Sequence, residues 1–400
     1  MSGRALPAVE GGSPVRADRL PFFRSSFGET EIEAVLDTLR SGWLTVGPKT
    51  SKFSEAFLAA TELPHGVPVN SCTSALLLAL KVLGIGEGDE VITTPNTFTA
   101  SVSMIHQAGA GPVLADIELE TYGLDPAKVE AAITDRTRAI LPVHYGGQAC
   151  HIEALREIAD RRGLLLVEDV AHGFGAELHG RHIGHHGDVA AFSFYATKNL
   201  STGEGGYLAC ASAELEEEAA LMGFHGMDRD AWKRYGDRGG WYYEVKRFGY
   251  KFNMTDIQAA MGLVQLARAV ELRDARTKVV EQYQAAFTGR EELILPATRD
   301  GALHAWHLYV PRLAKSALRI GRDEFLKALT AEGISPSLHF IPIHHHPVHR
   351  EYHGDMAGQL PRAEEFYEGC FSLPLFPTQT SQETDQVIEA VLKLLDYYGT

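Results

Sequence analysis

Lys198 and Asp169 have the residue types and spacing for carbonyl chemistry. Lys198 follows the short apolar stretch Val189-Ala-Ala-Phe-Ser-Phe194 and precedes a glycine-rich run ending in Gly203-Glu-Gly-Gly206. A lysine at a strand end can reach into a cleft and attack a carbonyl carbon. A second apolar stretch, Leu164-Leu-Leu-Val167, ends in the carboxylate pair Glu168-Asp169, 29 residues before the lysine. A strand-end carboxylate followed by a strand-end lysine is the pair that pyridoxal phosphate (PLP) chemistry requires. The lysine forms the Schiff base and the carboxylate keeps the pyridine nitrogen protonated. A lysine by itself is most often a solvated surface group, so the residues around it must carry the argument.

Four further groups sit at ends of expected strands, where open α/β sheets bind ligands. Thr73 and Ser74 open an apolar helix directly after a strand, and a helix N-terminus with hydroxyls suits a phosphate; simple N-capping is the alternative. Phe98 follows the next strand and could stack on a flat cofactor, or be an ordinary core aromatic. His172, three residues after Asp169, could touch a cofactor ring or be a satisfied structural histidine. Ser193, five residues before Lys198, is a second hydroxyl for phosphate, and Gly203, Gly205 and Gly206 allow a tight return from the lysine turn.

The elements that must position these groups are readable from periodicity. Apolar runs at 66–70, 90–94, 112–117, 137–143, 164–168, 189–194 and 206–210 predict seven strands. Helical stretches fall between most of them, at 73–83, 99–108, 126–133 and 152–162. That alternation predicts an α/β domain with a mostly parallel sheet. Ahead of it, Glu29–Arg40 places Ile32, Val35, Leu36 and Leu39 on one helical face. A long helix is expected near 255–272. Beyond it come a strand at 304–313, a helix at 322–332, a strand at 335–342 and a helix at 362–370. A last helix starts at the capping-box sequence Thr380-Ser-Gln-Glu383. The expected organisation is a flexible tail over 1–19, a large domain over 20–272 with an N-terminal arm helix, and a smaller α+β domain over 273–400.

Bulk composition narrows the function classes. The chain has 400 residues, 45% of them hydrophobic, and a net charge of −15. A general nucleic-acid binder would need a basic face. Cys72, Cys150, Cys210 and Cys370 lack metal-ligand spacing and fit a reduced cytoplasmic chain. No apolar run is long enough to span a membrane. Histidine-rich turns at His182–His186 and at His344-His345-His346 have metal-binding composition, but Gly184 and Gly187 favour an exposed turn at the first, and no metal site is expected.

In this order and at these positions, the groups around Thr73, Phe98, Asp169 and Lys198 resemble the DegT/DnrJ/EryC1/StrS family of PLP-dependent aminotransferases. The resemblance runs from about Pro21 to the C-terminus. It extends through Ser41-Gly-Trp-Leu-Thr-Val-Gly-Pro48, Gly84-Ile-Gly-Glu-Gly-Asp-Glu-Val91, Asp116-Ile-Glu-Leu-Glu-Thr-Tyr122 and Pro142-Val-His-Tyr-Gly-Gly-Gln148. Gly249-Tyr-Lys-Phe-Asn-Met-Thr-Asp-Ile-Gln-Ala-Ala260 and Leu373-Pro-Leu-Phe-Pro377 match as well. The resemblance implies a PLP fold type I aminotransferase. Lys198 would be the internal aldimine lysine and proton shuttle, and Asp169 the partner of the pyridine nitrogen. Phe98 would cover one ring face, and a contact from His172 to the cofactor is implied. Thr73, Ser74 and Ser193 would bind the cofactor phosphate. Asn253 would reach that phosphate from a neighbouring subunit, which implies a homodimer with shared active sites. Gly173-Phe174 and the histidine-rich turn depart from the family pattern without touching the lysine or the carboxylate. A branch that dehydrates sugars carries histidine in place of the lysine, so Lys198 points to amine transfer.

The segment 225–251 holds seven basic and four acidic residues interleaved with Trp232, Tyr235, Trp241, Tyr242, Tyr243 and Phe248. Basic groups can bind a diphosphate, and aromatics can stack on a base or line a sugar pocket; a solvated loop or an interface arm is the alternative. The stretch around Lys233, Arg234 and Tyr235 also resembles members acting on nucleotide-linked keto-sugars. The expectation is therefore transfer of an amino group from L-glutamate to a nucleotide-diphospho-keto-sugar at C4. The rival expectations are amination of a cyclitol ketone such as an inosose, and a non-catalytic PLP-binding regulatory protein.

Overall fold

Seven strands assemble in one sheet, all within two residues of the runs expected from the sequence. In the computed structural model, which describes residues 5–228, 243–356 and 358–400, they are β1 (His65–Val69), β2 (Glu90–Thr93), β3 (Gly111–Leu114), β4 (Thr137–Leu141), β5 (Leu165–Val170), β6 (Val189–Ser193) and β7 (Gly206–Cys210). Their order across the sheet is β1-β7-β6-β5-β4-β2-β3. β7 runs antiparallel to both its neighbours, and the other pairings are parallel. β5, β6 and β7 are buried almost throughout, as expected for a sheet covered on both faces. The strands bearing Asp169 and Ser193 are direct neighbours in register, with Asp169 opposite Ala191.

The helices flanking and following the sheet are α1 (Glu29–Ser41), α2 (Pro48–Thr61), α3 (Cys72–Val82), α4 (Thr99–Ala108), α5 (Pro126–Ala132), α6 (Ile152–Arg162), α7 (Ala213–Met222), α8 (Asp256–Ala267), α9 (Ala269–Phe287), α10 (Arg322–Ala331), α11 (Pro347–His353), α12 (Pro361–Gly369) and α13 (Ser381–Tyr398). α3 is apolar nearly all round and correspondingly buried, with Leu76, Leu78, Ala79 and Leu80 in the core. α13 begins at the expected capping box, with Thr380 and Glu383 exchanging side-chain-to-backbone bonds. A second apolar cluster joins Leu20, Val279, Tyr283, Phe325, Phe371 and Leu394.

Four segments differ from expectation. The expected single helix at 255–272 is two, because Arg268 leaves helical geometry (φ −102°, ψ 4°) and turns its guanidinium to Glu31 and Ser26. The runs 304–313 and 335–342 are extended but make only Arg312–Leu313 as a strand, plus single bridges such as Tyr309 with Leu373 and Ser337 with Ser372. In the first run Ala305, Leu308, Tyr309 and Val310 are buried, and Ala305 and Leu308 donate backbone bonds to Gly147 and Gly146 instead of joining a ladder; in the second, Leu338 and Phe340 are half-buried and Ile341 is exposed. The stretch expected as a flexible tail is strapped down from residue 8 onward. Glu332, fully buried, accepts from the amides of Ala8 and Val15 and from Lys393 Nζ.

The fourth is α1. Its buried residues are Glu31 and Thr38, whereas Ile32 and Leu39 stand about half exposed, at 50% and 48%. Glu31 accepts from Gln265 Nε2 at 2.7 Å and Arg268 Nη1 at 3.0 Å, so a polar network seats the helix on α8. Of the apolar face read from the sequence, Val35 and Leu36 are half-buried, while Ile32 and Leu39 stay uncovered among the described residues.

Candidate active site

Asp169 is the centre of the site. It lies within β5 with its carboxylate buried, 3% exposed. Oδ2 accepts from Ser101 Oγ at 2.7 Å and Oδ1 from the Ala171 amide at 3.0 Å. Its peptide is clamped by the extension of β4: Asp169 N–H donates to Pro142 O, and His144 N–H to Asp169 O. Burial raises its pKa, opposed by these donors and by the nearby Lys198. An ionised carboxylate here wants a cationic partner.

Lys198 supplies the complementary group. It is half-buried in the turn after β6, its amide donating to Tyr195 O. Burial pulls its amine down to about 8, against the opposing pull of Cys72 and Asp169. At neutral pH a usable fraction of Nζ is unprotonated, which a nucleophilic amine requires.

Adjacent to this pair is the N-terminus of α3. Ser71 caps it, accepting from the Ser74 amide at 3.1 Å, while the first amides of a helix have no intrahelical acceptor. Thr73 is exposed there. The Ser74 hydroxyl is committed inward, donating to Asn70 Oδ1 at 2.7 Å. Ser193 ends β6, its Oγ accepting from the Tyr195 amide. Gly206 lets β7 approach: a Cβ on it would sit 2.5 Å from the Ser71 carbonyl carbon and 2.6 Å from the Cys72 nitrogen.

Aromatic groups form the remaining wall. His172 Nδ1 accepts from the Gly146 amide at 3.3 Å, and its ring lies 4.4 Å from His307 and 5.7 Å from Phe340. Burial, with the Lys198 charge added, holds His172 and His307 far below the usual imidazole range, and burial takes His339 to about 4. The wall therefore presents neutral imidazoles at neutral pH. Phe98 is not a core residue: it is 58% exposed at the start of α4, with Phe340 6.0 Å away.

Glu168, next to Asp169, points to the opposite face and does different work. It is fully buried and accepts from four donors: His144 Nε2 at 2.9 Å and the amides of Gly184, His186 and Gly187. The Cys150 amide donates to His144 Nδ1, so Nε2 carries the ring proton. These donors hold the Glu168 carboxyl below its usual pKa despite burial. The histidine-rich turn is thus half-buried rather than exposed, and its amides serve Glu168. His182 and His185 are spent on Ile183 O and Thr61 O. In the second histidine run, His344 and His345 both point Nε2 at Glu364 Oε1.

Asn253 pairs with Val69, two residues before the Ser71 cap of α3, and lines a cleft of about 830 Å³ with Val46, Ser54, Glu217 and Lys246, a lining that contains neither Asp169 nor Lys198. Lys233, Arg234 and Tyr235 lie outside the described residues. Among the flanking cations, Lys246 pairs with Asp228 and Arg247 with Glu218. Sequence reading missed Ser101, His307, His339 and Phe340. Ser101 had one usable signal, a hydroxyl in the first turn of the helix after β2.

The donor set fits pyridoxal phosphate: a buried carboxylate for a cationic ring nitrogen, an amine of depressed pKa for its aldehyde, and an open helix N-terminus for its phosphate. Comparisons with known proteins agree. The model of the DegT/DnrJ/EryC1/StrS aminotransferase family matches residues 25–392. Spore coat polysaccharide biosynthesis protein SpsC of Bacillus subtilis (strain 168) is 46% identical over 373 residues, covering 93% of this chain and 96% of that protein. The putative sugar aminotransferase Spr1654 from Streptococcus pneumoniae, in its PMP form, superposes with a TM-score of 0.89 at 34% identity, over 94% of this chain and 99% of that one. DesV of S. venezuelae, in complex with a ketimine intermediate, gives 0.84 at 36% identity, over 94% and 98%.

Proposed function

The chain belongs to the DegT/DnrJ/EryC1/StrS aminotransferase family and is a PLP-dependent transaminase; from that premise we propose that it moves an amino group from L-glutamate to C4 of a nucleotide-diphospho-keto-sugar. The observation that carries the catalytic part is the convergence of buried Asp169 and the depressed amine of Lys198 on one site. When bound, pyridoxal phosphate supplies an electron sink for the carbanion left by proton removal. Asp169 holds positive charge at the ring nitrogen. Lys198 Nζ would be the attachment point and, once released, would take the proton from the donor's α-carbon in one half-reaction and deliver a proton to the acceptor's former carbonyl carbon in the other. The α3 N-terminus with Thr73 and Ser193 would bind phosphate, while Ser74, expected there from the sequence, spends its amide on Ser71 and its hydroxyl on Asn70 and supports the turn from behind. Phe98 and His172 flank the ring, and the neutral wall of His172, His307 and His339 excludes water without adding charge.

The acceptor half of the reading is supported by two things. One is the basic and aromatic composition of 225–251; Lys233, Arg234 and Tyr235 are its substrate-binding candidates. The other is that Spr1654 is itself described as a sugar aminotransferase. A half-reaction experiment tests it. Enzyme loaded with amine from glutamate is offered UDP- and dTDP-4-keto-sugars and inososes, and return of the cofactor's visible absorbance is followed. Recovery with a 4-keto nucleotide sugar is expected. Recovery only with an inosose would reassign the acceptor.

The same reading makes the protein a homodimer. Its support is the open Ile32 and Leu39 on α1, and in that dimer the phosphate would be met by Asn253 of the partner subunit, as the family resemblance implies. Charging that face with Ile32→Glu and Leu39→Glu is expected to raise the dimer dissociation constant at least about 100-fold. Light scattering would read this, and an unchanged dimer would move the interface off α1. No helix among the described residues is long and apolar enough to cross a membrane. With four free, buried cysteines, we place the enzyme in the cytoplasm.

A further inference from the structure

Asp169 faces its cofactor role with few donors, and one of them is a side chain that no sequence motif marked. Ser101 Oγ donates to Asp169 Oδ2 at 2.7 Å, and Thr97 Oγ1 lies 2.7 Å behind Ser101 Oγ. All three are buried, at 2%, 1% and 3% exposure for Thr97, Ser101 and Asp169. The direction of both bonds follows from chemistry. An ionised carboxylate only accepts, so the single hydroxyl proton of Ser101 goes to Asp169, and Thr97 must donate to Ser101. A hydroxyl that receives one hydrogen bond donates a stronger one, so Thr97 reinforces the bond that reaches the carboxylate.

Geometry leaves this pair a specific task. The Asp169 backbone is fixed by Pro142 O and the His144 amide, but a backbone clamp does not set the carboxylate's rotation. Ala171 N–H takes Oδ1 and Ser101 takes Oδ2, one donor to each oxygen. We propose that Ser101, backed by Thr97, is a positioning residue for transamination: it fixes the plane and basicity of the Asp169 carboxylate that meets the cofactor's ring nitrogen. The proposal rests on the reading of Asp169 as that nitrogen's partner.

The test uses holoenzyme carrying ring-15N pyridoxal phosphate, in wild type, Ser101→Ala, Ser101→Thr, Thr97→Val and Asp169→Asn. The 15N resonance reports protonation of the ring nitrogen. Cofactor titration and the separate kcat and KM values complete the readouts. Ser101→Ala is expected to shift the resonance toward the unprotonated position, weaken cofactor binding about tenfold and lower kcat about tenfold, with both KM values unchanged. Thr97→Val should give smaller changes of the same sign, and Ser101→Thr should return all three toward wild type. Wild-type resonance and affinity in Ser101→Ala, alongside altered values in Asp169→Asn, would overturn the positioning role and leave the reading of Asp169 intact. Unaltered values in Asp169→Asn would overturn both. A Ser101→Ala protein that melts earlier, yet shows wild-type resonance when folded, would reduce the hydroxyl to packing and also overturn the proposal.

Discussion

Lys198→Ala is expected to lower transamination by at least about 10⁴-fold, because the side chain performs two tasks and neither has a substitute nearby. Proton transfer by a positioned base is by itself worth about 10²–10⁴-fold, and the covalent link is lost in addition. The other titratable groups of the wall, His172, His307 and His339, are held neutral by burial and lack a nucleophilic amine. Borohydride should fix cofactor mass onto the peptide carrying Lys198 in the wild type and nowhere in the variant; trapping that persists after the substitution would place the attachment elsewhere. The depressed amine adds a pH signature. With its pKa at about 8, the neutral, nucleophilic form grows about tenfold from pH 6 to pH 7 and levels off above 8. The rate at which apoenzyme takes up cofactor aldehyde, followed by stopped-flow absorbance, should rise with the same profile. A rate that keeps rising about tenfold per pH unit beyond pH 8, with no plateau, would show that the amine is not depressed. The fold should tolerate the change, since removing a half-buried cation relieves desolvation.

The parts of this molecule that were legible in the sequence are those where burial on both faces imposes a continuous apolar run. β5 and β6 read as strands because every residue of one and nearly every residue of the other is buried. Their ends are where polar residues appear, and Asp169 and Ser193 stand out for that reason. α1 shows the limit of periodicity. Its apolar stripe is real, but a stripe does not say what covers it, and in this chain the network around Glu31 takes the inward side. The expected strand at 304–313 fails for a related reason: a buried segment looks like a strand whether or not a ladder partner exists, and here the Gly146-Gly147 turn supplies acceptors for Ala305 and Leu308. Glu168 and Asp169 were indistinguishable as neighbours. Only the alternation of side chains across β5 sends one to the cofactor face and the other to the amides of the 184–187 turn. Ser101 carried only the weak signal of a hydroxyl in the first turn after β2, because its bond to Asp169 is a long-range contact that no local pattern encodes.

Asp169→Asn is expected to keep the fold and lose about 10³-fold in kcat, of the order seen when one preorganised electrostatic group is removed from an active site. The substitution preserves size while cancelling charge, so two effects separate. In the apoenzyme the buried carboxylate is a liability: burial raises its pKa, which means the folded state disfavours the ionised form at neutral pH. A group raised in this way contributes stability that is present at low pH and is lost as pH rises through its folded pKa. Neutral asparagine removes that loss. Against this, the amide has one acceptor oxygen where the carboxylate had two, so either the Ser101 hydroxyl or the Ala171 amide goes unpaired, at about 1 kcal/mol. The two terms oppose, and the apoenzyme's unfolding free energy in urea should stay within about 1 kcal/mol of wild type. Turnover has no such compensation. A neutral amide cannot hold the ring nitrogen's positive charge, so the carbanion formed when Lys198 removes the donor's proton loses its sink. The deficit should appear in kcat for both half-reactions, with the donor and acceptor KM values little changed, because Asp169 meets the cofactor and not the substrates. Unchanged kcat with a normal fold would refute the electronic role and leave Asp169 as a buried structural carboxylate. A large loss of apoenzyme stability would instead show that the pairing with Ser101 and Ala171 outweighs the desolvation of the charge.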